Sequence, residues 1–304
     1  MLTRLIAAGF AVLVLASASS AAPSGSSVVA RIDTGGAPCG IVGAGGSVWV
    51  SDAENAKVLR IDPATNTVVS RHDVDATPCE MQFALGSIWL VTQAGYVNRL
   101  DPATGARQAR IKVGSVPYDS VSAFGAIWVT NREGRTISKI DPKRNRVVRT
   151  LRFPTGKPAG IAKAAGALWI GDDYGSWVYR LNPKTLKFQR VRTNEDASSW
   201  VAASGNDVWV ANTSSNTVTR INAVTRKVVA TIEVGESPVN LDVVGGQVWV
   251  PNDRSNTLSH IDPATNRVVE TIAGGENTAI VAGAEGDVWA SMHGAGEVWR
   301  IHPG

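Results

Sequence analysis

The segment Gly46-Ser47-Val48-Trp49-Val50 recurs along the chain as Gly86-Ser87-Ile88-Trp89-Leu90, Gly125-Ala126-Ile127-Trp128-Val129 and Gly166-Ala167-Leu168-Trp169-Ile170. It returns again around Trp209, Trp249 and Trp289. The steps between these seven tryptophans are 40, 39, 41, 40, 40 and 40 residues. A period near 40 sustained over a chain marks a repeat architecture, in which each unit is one supersecondary element stacked on its neighbours. The residue before each tryptophan is apolar in every copy, which makes this column the core between units.

Each unit reads as four short strands. An apolar stretch entered by proline (Pro38-Cys39-Gly40-Ile41-Val42) is followed by a Gly turn and the tryptophan strand. A third strand ends in a basic-Ile-Asp-Pro sequence (Arg60-Ile61-Asp62-Pro63), and a fourth opens on a valine pair (Val68-Val69). Runs of four to six β-formers between Gly, Asn, Asp and Pro turns are antiparallel strands, and Asp-Pro-Ala-Thr-Asn at 62–66 and 262–266 is turn chemistry. Four strands in about 40 residues make a propeller blade. The last unit ends at Arg300-Ile301-His302-Pro303-Gly304, before a fourth strand, and Val28-Val29-Ala30-Arg31-Ile32 matches the missing one. The expectation is an all-β, seven-bladed β-propeller of four-stranded antiparallel blades over 23–304, closed by the N-terminal strand completing the last blade.

Residues 1–22 read as a secretory signal peptide: Arg4, then an apolar run from Leu5 to Ala16, then small residues to Ala22. The run is too short to span a membrane. The expected mature protein is secreted or periplasmic, soluble and monomeric. Its formal charge is +4, and removal of Arg4 leaves 29 basic against 26 acidic side chains. The basic residues are scattered, which argues against a nucleic-acid partner, since that needs a concentrated positive surface.

Ile127-Trp128-Val129-Thr130-Asn131, Val208-Trp209-Val210-Ala211-Asn212 and Val248-Trp249-Val250-Pro251-Asn252, with the Val-Gly-x-x-Pro stretches at 113–117 and 234–238, resemble the YVTN family of β-propeller repeats. The chain is also similar to the virginiamycin B lyase (streptogramin lyase) group of seven-bladed propellers. The resemblance spans roughly 28–304. It implies a metal-assisted elimination in the central cavity, with histidines at the starts of inner strands and a carboxylate just after the tryptophan strand. Here the inner-strand positions hold no histidine, and Asp172 stands at the carboxylate position.

A repeat reveals its site where one copy departs from the others. Nine residues before each tryptophan stand Gly40, Glu80, Asp119, Gly160, Trp200, Asn240 and Ile280. Glu80, Asp119, Asn240 and Asp172 are oxygen donors of the kind that suit Ca²⁺ or Mg²⁺, or they cap turns. Trp200 is a stacking platform or a plug, and Tyr118 and Asp173 join it as candidate ligand contacts. His293, the only histidine in the loops after the tryptophan strands, is the candidate general base. Cys39 and Cys79 occupy one repeat position in adjacent blades and are expected to form a disulfide. The basic column Arg60, Arg99, Lys139, Arg180, Arg220, His260 and Arg300 is expected to pair with carboxylates of neighbouring blades. No phosphate loop, nucleophile elbow or HExxH motif occurs. The sequence therefore favours an exported binding propeller that takes a small molecule or a protein at the channel mouth. The alternative is a metal-dependent lyase or lactonase-like hydrolase acting in the central cavity.

Overall fold

The computed structural model describes residues 25–304; the proposed signal peptide lies outside the described residues. Twenty-eight strands, β1 to β28 in chain order, form seven four-stranded antiparallel sheets. The first blade is β2 (Pro38–Ala44), β3 (Ser47–Asp52), β4 (Lys57–Asp62) and β5 (Thr67–Asp73). The other inner strands are β6 (Pro78–Ala84), β10 (Pro117–Ala123), β14 (Pro158–Ala164), β18 (Ser198–Ser204), β22 (Asp242–Val244) and β26 (Thr278–Ala284). The ring closes as expected. β1 (Ser27–Asp33) pairs with β28 (Glu297–His302), matching Ile32 to Val298 and Ser27 to His302. Closure of this kind leaves short, protected sheet edges.

Burial falls from the second strand of a blade to the fourth. All six residues of β3 are buried, whereas β5 alternates between exposed and half-buried. A strand with a sheet packed on each face must be apolar on both, and an outer strand that meets water needs only period-2 patterning. The alternation on β3 divides the tryptophan from its neighbours. Trp49 packs toward blade two, in one cluster with Met81, Ile88 and Leu90. Val48 and Val50 point the other way, toward Trp289 of blade seven. The same exchange repeats at every seam: Trp89 meets Ile127 and Val129, Trp128 meets Leu168 and Ile170, and Trp249 meets Val288 and Ala290. All seven tryptophans are 0–1% exposed. Burying an apolar side chain of this size contributes roughly 3 kcal/mol or more, so the seven seams hold the ring.

The basic column differs from expectation in its partners. The Arg99 guanidinium lies 5.1 Å from the Trp89 ring centre and donates to the Pro142 carbonyl (3.0 Å) and Asn145 Oδ1 (3.2 Å) of the next blade. Arg300 does the same to Pro63 (2.5 Å) and Asn66 (3.0 Å), across the closure. Where these residues do reach a carboxylate it belongs to their own blade: Arg220 to Asp207 and Arg300 to Asp287. The bent Asp-Pro turn of the next blade presents a free carbonyl at the reach of a guanidinium, so the contact across the seam goes to backbone rather than to charge.

Candidate functional site

The inner strands run along the central channel, and a β-bulge interrupts six of them near their first residues. The register shifts between Pro38 and Ile41, Pro78 and Met81, Pro117 and Asp119, Pro158 and Ile161, Ser198 and Trp200, and Thr278 and Ile280. In blade six the regular strand begins only at Asp242, and a single bridge joins Pro238 to Asn252. A bulge re-aims one side chain out of the alternating pattern. Here it falls on the variable positions, and Glu80, Asp119, Trp200, Asn240 and Ile280 line one cavity of about 350 Å³. All seven blades contribute to its wall, which also includes Asp242, Lys163 and apolar residues such as Ile41, Val121 and Leu241.

The polar side chains of this wall have different partners. Asp119 accepts from Ser120 N (2.6 Å) and, across the seam, from Ile161 N (2.8 Å). Asp242 accepts from Val243 N (2.8 Å) and Gly283 N (3.2 Å) of blade seven. Asn240 Oδ1 accepts from Val281 N (3.2 Å). These acceptors satisfy amides on the free edge of the next inner strand, which otherwise lack a ladder partner. Glu80 has no such task. It is 8% exposed, and its Oε1 is buried without a hydrogen-bond partner.

Electrostatics set the three carboxylates apart from the surface acids. Burial raises Glu80 well above the usual carboxylate range, and the charges of Asp119 and Asp242 raise it further. Burial pushes Asp119 up to about 7, against the opposing pull of the Ile161 and Ser120 amides, and burial also raises Asp242. Like charges facing one buried cavity repel, which favours protonation of part of the cluster. No ion pair joins the three to a cation among the described residues.

Above the cavity lies an aromatic and charged rim on blades three to five. Tyr118 meets Trp200 edge-on, with ring centres 5.5 Å apart. The two belong to blades three and five, and the contact passes over Gly160 of blade four. A Cβ at Gly160 would lie 2.6 Å from Val201 N and 3.0 Å from Trp200 Cα, so the close approach requires glycine. Trp200 is 6% exposed and packs with Trp209 and Leu241, so it forms part of the channel wall rather than a free platform. Arg132 pairs with Asp173 and places its guanidinium 5.5 Å from Tyr118 and 5.8 Å from Tyr174. Burial, reinforced by the Asp173 charge, pushes the Tyr118 hydroxyl far above its ordinary range, so it stays protonated.

The remaining candidates lie apart from this cluster. Asp172 receives Lys157 N (3.2 Å) and Tyr174 N (3.4 Å) and does not line the cavity. Its counterparts Asp52, Asn131 and Asn212 tie the same loops in their own blades. His293 donates from Nδ1 to the Pro38 carbonyl (3.0 Å) and joins blade seven to blade one. Among the described residues, no group of three or more His, Cys, Asp and Glu side chains comes together to grip a metal ion.

Cys39 and Cys79 are joined across β2 and β6, with Cα atoms 5.2 Å apart, inside the range a disulfide spans. Gly40 permits this, since a Cβ there would lie 2.4 Å from the Cys79 carbonyl. The pair is consistent with an oxidising, extracellular environment. No helix among the described residues is long and apolar enough to cross a membrane.

Sequence reading missed Asp242 and Lys163. Asp242 pairs opposite Trp249, in a column that holds Val42, Gln82, Val121, Ala162, Ala202 and Ala282 elsewhere. Comparing that column across the repeats exposes it as the one acid. The fold and the channel together define a closed seven-bladed propeller with an acidic central cavity. No protein-family model matches the chain, and no curated protein matches its sequence.

Proposed function

We propose that this protein is an exported binding propeller that takes a small ligand into its central channel through the mouth at the starts of the inner strands. The observation that carries this reading is Glu80: a buried carboxylate with an unpartnered oxygen, on the wall of a cavity of about 350 Å³. Such a group has a desolvation penalty that a ligand can relieve. Asp119 and Asp242 each accept an amide of the next inner strand, and Glu80 accepts none across its seam. A concave site of that size, with a few convergent polar groups set among apolar side chains, can hold a small molecule, and the predominance of polar surface on its wall suits a polar or charged one. The resemblance to YVTN-type repeats supports a binding scaffold, and His293 is engaged with the Pro38 carbonyl rather than aimed at the channel acids. The N-terminal sequence and the Cys39–Cys79 pair support export.

Thermal unfolding of the wild type and of Ala282→Trp, which fills the cavity, is the test. Both are screened against a library of small cationic, neutral and anionic compounds. A ligand that binds only the folded state raises stability by about 2.7 kcal/mol at 100 times its Kd. Compounds that stabilise the wild type and not the filled variant bear the reading out. If every active compound stabilises both alike, the channel is not the site.

A further inference from the structure

We infer that the channel ligand is a linear aliphatic di- or polyamine, held by ammonium groups against Glu80, Asp119 and Asp242 with its methylene segments along the apolar wall. The inference rests on the channel reading and names the ligand class. Three observations carry it.

The first is charge. Three carboxylates face one cavity, and among the described residues none is paired with a cation. Lys163 lines the same cavity, but its ammonium sits 5.6 Å from the Phe124 ring centre, over the turn that ends β10. The second is dispersion. Glu80, Asp119 and Asp242 lie on three different inner strands, close enough to influence one another, and do not converge as a metal-holding group. A chain with separated charges matches such a set. The third is the wall between the acids. Ile41, Val121, Leu241 and Val281 are apolar, and Trp200 supplies an aromatic surface that favours a cation. Glu80 lies on this wall and its Oε1 is buried without a partner; the first ammonium donates to its carboxylate.

Proton linkage follows. The groups that face Glu80 are Tyr118 and Asp119 from β10 and Asp242 from β22, with Lys163 on the far wall; β2 brings no titratable side chain to it. Burial holds protons on these acids in the free protein, and Asp119 titrates near 7. An incoming ammonium favours the ionised carboxylates and displaces protons to solvent. Affinity therefore rises with pH, by roughly tenfold per pH unit below 7 for each proton displaced.

Isothermal titration of the full mature protein with 1,4-diaminobutane, spermidine and butylamine, and separately with MgCl₂ and CaCl₂, tests this at pH 5.5 and pH 8. The titrations are repeated in two buffers of different ionisation enthalpy. The expected result is that the diamine and spermidine bind more tightly than butylamine, more tightly at pH 8, and with protons released. Glu80→Gln and Asp242→Asn should each weaken binding by about tenfold or more, the worth of a hydrogen bond to a charged group. Proton release is read on the wild type, so the test survives a variant that fails to fold. Equal affinity for butylamine and the diamine, absence of proton release, or preference for the divalent ions overturns the inference. If amines fail while neutral or anionic compounds separate the wild type from Ala282→Trp, the amine assignment falls and the channel reading stands. If no compound of any class separates those two proteins, both fall.

Discussion

The tryptophan layer and the channel layer lie only nine residues apart in each repeat, yet they behave in opposite ways. The first is the same residue in all seven blades, buried to 0–1% and packed into the next blade. The second is Gly40, Glu80, Asp119, Gly160, Trp200, Asn240 and Ile280, seven positions filled by six residue types. Every seam poses one packing problem and receives one solution. The channel is a single space shared by seven strands, so the side chains that fill it must differ or they would collide on the axis. Repetition therefore marks the scaffold, and departure from it marks the candidate site.

The largest effects should come from the repeated layer. Trp128→Ala or Trp249→Ala should each cost about 3–5 kcal/mol, because the sheets on both sides cannot collapse into the space left. Urea unfolding would measure it. Near-equal losses at the two seams would sharpen the comparison, and a loss confined to one would break it.

The disulfide should come next. Cys39→Ser with Cys79→Ser releases a closure of 40 residues, worth roughly 4 kcal/mol in the chain-entropy account. A reducing agent should lower the melting temperature of the wild type and leave that of the double variant unchanged.

Gly160→Ala should cost about 1–3 kcal/mol, since a Cβ 2.6 Å from Val201 N forces β14 and β18 apart. It should also change Trp200 fluorescence by altering the edge contact with Tyr118. Ile280→Ala, in the same layer, should leave that contact intact, which separates a close approach from simple packing.

The smallest effect is one of pH, and its sign is opposite to that of an ordinary surface acid. Glu80 and Asp119 have folded pKa values above their unfolded ones. Between about pH 4 and pH 7 the folded state binds more protons than the unfolded state. Stability therefore falls as pH rises through that window. Taking about half of the full Asp119 shift, to allow for screening by water in the channel, gives a loss of about 2 kcal/mol. Glu80→Gln should flatten the profile and be at least as stable as the wild type at pH 8. A profile that rises from pH 5 to pH 8 would mean that the channel acids are paired in solution.

Much of the fold was legible in the residues. The 40-residue period, the Asp-Pro turns and the unpaired N-terminal strand led to seven blades and to their closure, because each is a local signal repeated until it is unmistakable. The candidate site was legible only in part. Glu80, Asp119, Trp200 and Asn240 stood out as departures at one repeat position, and the structure brings them to one cavity. Asp172, Asp173 and His293 stood out in the same way but are engaged elsewhere, by loop amides, by Arg132 and by the Pro38 carbonyl. A carboxylate that caps a turn and one that faces a cavity look alike in a sequence. Asp242 was hidden because it stands seven residues before its tryptophan rather than nine, in an otherwise uncharged column that only the structure shows lining the same cavity.

By itself the sequence determined the number of blades and the tryptophan core and set Cys39 and Cys79 at equivalent positions on neighbouring strands, since all of these follow from periodicity; that the two cysteines are joined is seen only in the tertiary structure. Only the tertiary structure decided which polar groups are satisfied. Whether Glu80 or Asp119 finds an amide across the seam depends on the free edge of the next blade, a partner about 40 residues away in the chain that only blade packing sets in place.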